Sequence, residues 1–454
     1  MYQPGVGDGR WQKPFAFLAR LSRLEWLICA ISSIAFAFDV YEVIILPLIV
    51  RPALAELGHM RPGSVEFNRW VGLLIFVPAV CGGAVGLIGG YLTDRMGRRR
   101  VLLFSILLYT AAAAGAAFSH SAAELLLWRC MAVAGVSVEF VAGVAWLAEL
   151  FPEPKLREAV LGYTQAFSAA GGFILSGAYY CAVTFGTRLP AIQGHHSGWR
   201  YALLFGLFPA IPLLVVRPFL PESPVWRRKK LEGSLKRPSF AELFRPELRR
   251  TTVVSALMVA CSYAAAFGAL QHIPRIIPGL PEVRALSPLR QEQIISTSHL
   301  YADFGQLAGR LAFAVLAARM IRPRRLLYVF LLPCLAIFPG VFFYPGQHDL
   351  ASLRWGYLFA TAVMTAQLSY WGNYLPRLYP LHLRGTGESF AANIGGRMIG
   401  NSAALVTTQL ANVTPGDSPS AQLALAAGIV GVTAYFIALV VSRYLPSPRQ
   451  DLTE

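Results

Sequence analysis

The sequence predicts an all-α membrane protein, with twelve transmembrane helices in two pseudo-symmetric six-helix halves. Three observations carry that prediction. The 454 residues are 55% hydrophobic and only 14% charged, with a mean hydropathy of +0.51, so charges are too few to cover a soluble surface. Apolar runs of spanning length recur along the whole chain. The basic residues avoid those runs and gather in alternate loops. The segments expected inside carry 28 Lys and Arg and the outer loops carry 9. That asymmetry orients both termini toward the cytoplasm.

The runs fall at about 26–50, 71–92, 101–119, 124–149, 158–183, 199–219, 251–272, 293–318, 326–345, 353–375, 387–412 and 421–443. The expected organisation is a cytoplasmic segment (1–25), a first six-helix half (26–219), a linker (220–250), a second half (251–443) and a short tail (444–454). The first apolar run is about 25 residues long, enough to cross a bilayer and stay there, and no cleavable leader is expected before it.

Span 1 contains "FAFDVYEVIILPLIV" (Phe36 to Val50), with Asp39 and Glu42 among apolar neighbours. Span 2 places Gly82, Gly86 and Gly90 four residues apart, a stripe for close helix approach, and ends in "GGYLTDRMGRRR" (Gly89 to Arg100). Span 3 is rich in alanine. Span 4 contains "LLLWRCMAVAG" (Leu125 to Gly135) with Arg129, then Glu139, and ends at Glu149. Arg157 precedes span 5, which holds Gln165, Gly171 and Gly172. "GWR" (Gly198 to Arg200) opens span 6, and "PESPVW" (Pro221 to Trp226) follows it. Segment 217–250 is strongly basic. Span 7 reads "ACSYAAAFGALQH" (Ala260 to His272). Span 8 carries Asp303, Gln306 and Arg310 at i, i+3 and i+7, hence on one face. "LAARMIRPRR" (Leu316 to Arg325) then leads to span 9. Span 10 holds Gln367, Tyr370, Trp371, Asn373 and Tyr374. "YPLHLRGTG" (Tyr379 to Gly387) leads to span 11, where Asn393, Arg397 and Asn401 recur every four residues. Span 12 is apolar.

The halves repeat. Arg95 after span 2 corresponds to Arg319 after span 8, and Arg157 after span 4 to Arg384 after span 10. These quoted segments, taken together, resemble the major facilitator superfamily over nearly the whole chain, in its sugar-porter-like and metabolite:H+ symporter branch. The resemblance implies two halves that rock around a midplane site. It implies a cytoplasmic gate of paired charges at helix ends, here Asp94, Arg95, Arg98, Glu149, Arg157 and Arg384. It also implies proton coupling by the span 1 acid and the span 4 arginine, Asp39 and Arg129, and a sugar-binding position at Gln165. The chain departs from the pattern in three places. Ala318 and Arg377 stand where the second-half gate would have acids. Span 7 lacks the polar residues of sugar porters. Span 1 lacks their glycine-flanked motif.

An acid at the bilayer centre costs about 2.5–3.5 kcal/mol on insertion scales and is a functional candidate for that reason. Asp39 and Glu42 share a face of span 1. If spans 1 and 4 face each other, Asp39, Glu42, Arg129 and Glu139 form one proton-coupling cluster. The structural alternative is a static ion pair that fixes packing. Arg310 and Arg397 facing a cavity would suit a carboxylate; the alternative for Arg310 is an intrahelical pair with Asp303. Gln165, Asp303, Gln306, Arg310, Gln367, Trp371, Asn393 and Arg397 are the candidate substrate-binding residues. The aromatic group in span 10 equally fits packing. His299, four residues before Asp303, reads as a polar-rim histidine or a member of a proton path.

The reading is a secondary active transporter in the cell membrane, moving a small organic anion by alternating access with proton symport. A sugar or polyol symporter or uniporter is the alternative, and a solute sensor that does not transport is a third. The expected partners are the solute, protons and the lipid bilayer, with no nucleic acid and no cofactor, and the expected state is a monomer. No nucleophile triad, metal-ligand cluster or phosphate loop argues for an enzyme. The six cysteines lack CxxC spacing and read as small apolar residues.

Overall fold

The computed structural model describes residues 21–446 except 152, 209, 233–238, 320–322, 345–347 and 381–382. The side chains of Asp94, Gln165, Ala318 and Arg319 also lie outside the described residues. Helices dominate the chain. Among the described residues, eight helical stretches are long and apolar enough to cross a bilayer. Of the other four spans, 5 and 11 change winding or break partway, and 8 and 10 carry polar and aromatic residues along their length.

Span 1 is the helix Arg23–Ile44. Its start is a capping box in which the Ser22 side chain accepts from the Glu25 N–H while Glu25 reaches back to Ser22. The chain bends at Ile45, ahead of Pro47, and continues as the helix Leu46–Gly58. Span 2 (Val65–Met96) and span 3 (Arg98–Ala117) are divided by Gly97 alone, with φ 94°, a conformation that glycine adopts without strain. Span 4 is Ala122–Leu150. Span 5 is broken at Ser168–Ala169 into Pro154–Phe167 and Ala170–Phe185. Span 6 is broken into Gly198–Phe205 and Ala210–Val216. A short basic helix, Pro224–Leu231, follows.

Span 7 (Arg249–Gly268) continues in short turns to Gly279. Span 8 is Pro288–Arg319, span 9 Pro323–Phe342 and span 10 Leu350–Tyr374. Span 11 starts as Arg384–Phe390, widens to π-helix over Ala391–Gly400 and resumes as Ser402–Leu410. Span 12 is Pro419–Ser442. The strict four-residue face expected for span 11 is thus replaced by a locally wider winding, of the kind often found at functional sites.

Spans 2, 3 and 4 pack on one another, as do 8 with 10, 7 with 11 and 12, and 9 with 10 and 12. The two groups meet along span 2 with span 11 and span 5 with span 8. The expected glycine stripe on span 2 divides its work. A Cβ at Gly82 would meet Val133 and Ser137 of span 4, while one at Gly83 or Gly86 would meet span 11. Small residues let both neighbours approach the same helix. Gly90 lies outside the residues whose side positions are described.

Candidate transport site

The two ends of the bundle differ in charge. Arg95, Arg98–Arg100 and the arginines of the short helix Pro224–Leu231 form a basic face. At that face Arg98 Nη2 lies 2.8 Å from Glu149 Oε1, and Arg98 Nη1 donates to the Thr93 carbonyl at 3.1 Å. A further acid at this face is one that sequence reasoning passed over. Glu222, from "PESPVW", accepts from the backbone N–H groups of Arg98 (3.1 Å) and Arg99 (3.2 Å). A carboxylate there satisfies the orphan donors of the first turn of span 3 and complements its dipole. Ser223 caps the next helix, and Trp146 donates to the Pro221 carbonyl at 3.0 Å. The signal was the acid inside the quoted motif, whose partner lies more than a hundred residues away. Arg95 is exposed, and Arg157 and Arg384 are half-buried at the same end.

Halfway down, the first half holds two buried ion pairs. Arg129 Nη1 lies 3.0 Å from Glu42 Oε2, with side chains 3% and 1% exposed. Arg129 Nη2 also donates to the Glu42 carbonyl oxygen at 2.7 Å. Spans 1 and 4 do face each other, and the arginine takes Glu42 rather than Asp39. Glu139 belongs to a different pair. Its Oε1 lies 2.7 Å from Arg217 Nη1, and the Tyr109 hydroxyl lies beside it. Arg217 was counted with the basic segment 217–250, but it is buried at the end of span 6. An arginine at a span end can snorkel either way, and only packing decides which.

Asp39 sits between these pairs, 5% exposed. Among the described residues no donor reaches either of its carboxylate oxygens. The charges that act on it are Glu139, Arg217, Arg397 and Glu42. Arg397 comes from the other half. It donates to Asn393 Oδ1 at 3.1 Å, and Asn393 donates to Ser389 at 3.2 Å. Gly86 of span 2 lies against Asn393 and the Arg397 guanidinium, and a Cβ there would crowd both. Asp39 and Arg397 therefore place opposite charges on the two halves, near the seam between spans 2 and 11.

The other candidates divide. Gln306 and Arg310 are half-buried on span 8, with Arg310 Nε shielded from solvent. Asp303 is fully buried and bonds to Ser176 of span 5 (2.6 Å) and to His299 (3.4 Å) rather than to Arg310. Gln367 donates to the Phe330 carbonyl at 3.0 Å and so ties span 10 to span 9. The Trp371 indole donates to Ser262 of span 7 at 2.9 Å, and Tyr370 stacks on Tyr374 with centroids 5.0 Å apart. Gln367 and Trp371 thus each link span 10 to a neighbouring helix. Asn401 is buried. Among the described residues no cluster of His, Cys, Asp and Glu could hold a metal ion.

Opposite the basic face, polar contacts join the two halves. Arg51 bonds Glu292 (3.1 Å) and Gln291 (2.9 Å), and Tyr179 donates to Glu292 at 2.7 Å. Arg275 donates to Asn68 (2.7 Å), which donates to Asn412 (2.8 Å). Gln293 reaches Thr184 at 3.0 Å. Within the first half, Glu56 takes bonds from Ser197, Trp199 (2.8 Å) and Arg200 (2.9 Å). Arg200 also closes the end of span 3 through the carbonyls of Ala117 (2.6 Å) and Ser119 (3.0 Å). Burial pushes the Glu56 carboxyl up, and these donors outweigh it and hold the group below its usual range. The far end is thus bolted shut across the halves.

Residues 27–405 match the Major Facilitator Superfamily profile. The chain is 28% identical over 331 residues to a probable 4-methylmuconolactone transporter of Cupriavidus pinatubonensis, covering 72% of this chain and 71% of that protein. It is 26% identical over 228 residues to an arabinose-proton symporter of Bacillus subtilis, covering 44% and 48%. Its fold is similar to that of the xylose transporter of E. coli in a partially occluded inward-open conformation. That match has a TM-score of 0.69 at 16% identity and covers 95% of this chain and 100% of that one. Sequence match and twelve-helix fold agree, and this chain is a transporter belonging to the major facilitator superfamily.

Proposed function

We propose that the chain carries an organic anion bearing a carboxylate, together with a proton, by alternating access across the cell membrane. The observation that carries this reading is Arg397. The buried arginines of the first half, Arg98, Arg129, Arg200 and Arg217, each have a glutamate within 3.0 Å. Arg397 is hydrogen-bonded to the neutral Asn393 and faces Asp39 across the seam. A guanidinium in that setting is a carboxylate receptor. Protonating Asp39 removes the negative charge opposing a substrate anion, so proton and substrate enter together. When the cavity opens to the basic face, taken as cytoplasmic from the positive-inside rule, Asp39 becomes wet and releases its proton. A transport protein for cis,cis-muconate from Acinetobacter baylyi, 24% identical over 322 residues, supports an anionic substrate. The arabinose-proton symporter relative and "PESPVW" support a sugar as the second reading.

The test is reconstitution into liposomes that hold a pH-sensitive dye, with cis,cis-muconate and then arabinose added outside. Muconate-driven proton entry that is lost in Asp39→Asn, with muconate exchange retained, supports the reading. Proton entry driven by arabinose alone, or uptake of muconate with no proton movement in the wild type, overturns it.

A further inference from the structure

We infer that Arg275 forms an entry site for the substrate's carboxylate at the far end, one that Asn68 fills while that end is shut and vacates when it opens. The inference rests on the anionic substrate proposed above and adds a second station for it. Arg275 lies in the short turns that continue span 7 and is 8% exposed. Its Nη2 donates to Asn68 Oδ1 at 2.7 Å, and its Nη1 lies 3.2 Å from His272 Nδ1. The guanidinium carbon stands 5.2 Å from the centre of the Phe67 ring. Among the described residues no carboxylate pairs with it. At the same end Arg51 holds Glu292 at 3.1 Å and Arg200 holds Glu56 at 2.8 Å. A guanidinium held this deep among neutral groups is costly. What the neutral partners leave open is the place of an acid.

The cluster has the donors that a carboxylate needs. A guanidinium cannot accept a hydrogen bond, so His272 Nδ1 accepts from Arg275 and the imidazole proton sits on Nε2. His272 is 0% exposed, and its Nε2 has no partner among the described residues. Asn68 is 4% exposed, and its Nδ2 donates to Asn412 Oδ1 at 2.8 Å. Asn68 belongs to span 2, whereas Arg275 and Asn412 belong to the second half. Both Asn68 bonds therefore cross the seam and break when the far end opens.

Opening leaves Arg275 facing the solution without its amide oxygen. A carboxylate fits the vacated place better than the amide did, because it brings a full charge and a second oxygen for the guanidinium fork. The anion and Asn68 exclude each other at Arg275. An anion arriving at the far end therefore favours the open state, and closing returns Asn68 to the arginine and displaces the anion inward. Arg397 is the deeper station. It precedes Asn412 on span 11 by roughly 22 Å, at about 1.5 Å per residue. Asn401 lies between them on the same span, 5% exposed, with an Oδ1 that no donor reaches among the described residues.

The test is the initial rate of cis,cis-muconate transport at varied concentration, in right-side-out and in inside-out membrane vesicles, which present the far end and the basic face in turn. Arg275→Gln should raise KM from the far side by about tenfold or more, the effect of losing a charge-assisted hydrogen bond, and should leave KM from the basic face unchanged. Arg275→Lys keeps the charge but loses the fork and should fall between. Asn68→Asp sets a carboxylate of the chain itself on Arg275 and should also raise the far-side KM. Asn68→Ala removes the competitor and should lower it. The two Asn68 variants keep the test available if Arg275→Gln fails to fold. A far-side KM that ignores Arg275→Gln, a change of equal size on both faces, or Asn68 variants that shift KM in the same direction overturns the inference. A wild type that carries arabinose and not muconate overturns the anionic reading and this site with it.

Discussion

Glu42→Gln should destabilise the protein by about 3–5 kcal/mol, because it strands the Arg129 guanidinium in the membrane interior without its counter-charge. The geometry sets the scale. The pair is 3.0 Å apart, with both side chains almost fully enclosed. At an effective dielectric of about 20 their attraction is about 5 kcal/mol, and desolvation offsets much of it in the intact pair. Removing one partner leaves the desolvation and deletes the attraction. Arg129 would keep its bond to the residue 42 carbonyl and a neutral amide acceptor, but no counter-charge. Replacing both residues, as Glu42→Gln with Arg129→Met, removes the buried charge altogether and should bring stability back to within about 1 kcal/mol of the wild type. The assay is a double-mutant cycle by chemical unfolding in detergent micelles. A single variant as stable as the wild type, or a double variant as unstable as the single, would show that the pair is not the enclosed ion pair described. Transport measured on the double variant then separates roles: stability without activity assigns the pair to the transport cycle.

Glu222→Ala should loosen the start of span 3 by about 0.5–2 kcal/mol, since two backbone donors lose their acceptor; hydrogen exchange at Arg98 and Arg99 should quicken while span 4 stays protected, and unchanged exchange would refute the capping role. Gly171→Ala drives a Cβ into the Ala37 carbonyl of span 1 and should cost about 1–3 kcal/mol, whereas Gly177→Ala points into open space and should gain about 0.5–1 kcal/mol; equal melting temperatures for the two variants would refute the assigned faces. Because Glu56 titrates below its usual range, its contribution is complete above about pH 4.5 and is lost as pH falls through the lower folded-state value. The melting-temperature gap between wild type and Glu56→Gln should therefore be constant above about pH 5 and shrink toward about pH 3. A gap that changes near neutral pH would contradict that assignment.

The sequence by itself determined the number of spans, their face at the basic end and the two-fold repeat. Hydrophobic length and the placement of Lys and Arg are local properties that survive without any knowledge of neighbours. It also marked most of the buried charged groups, because a carboxylate or guanidinium inside an apolar run is conspicuous wherever the helix packs. Asp39, Glu42, Arg129, Glu139 and Arg397 were all visible in that way. Which of them meet was not visible. Arg129 chose Glu42 over Asp39, Arg217 turned inward to Glu139, and Asp303 bonded across the seam to Ser176 instead of along its own helix to Arg310. Gln367 and Trp371 were expected at the pocket, and each bonds to a neighbouring helix. Each of these outcomes depends on the rotation and depth of one helix against another. Small residues such as Gly86, Gly171 and Gly172 set those quantities through contacts between residues far apart in the chain. A helix carries its charges in its own sequence, but the partner of each charge is a property of the packed bundle.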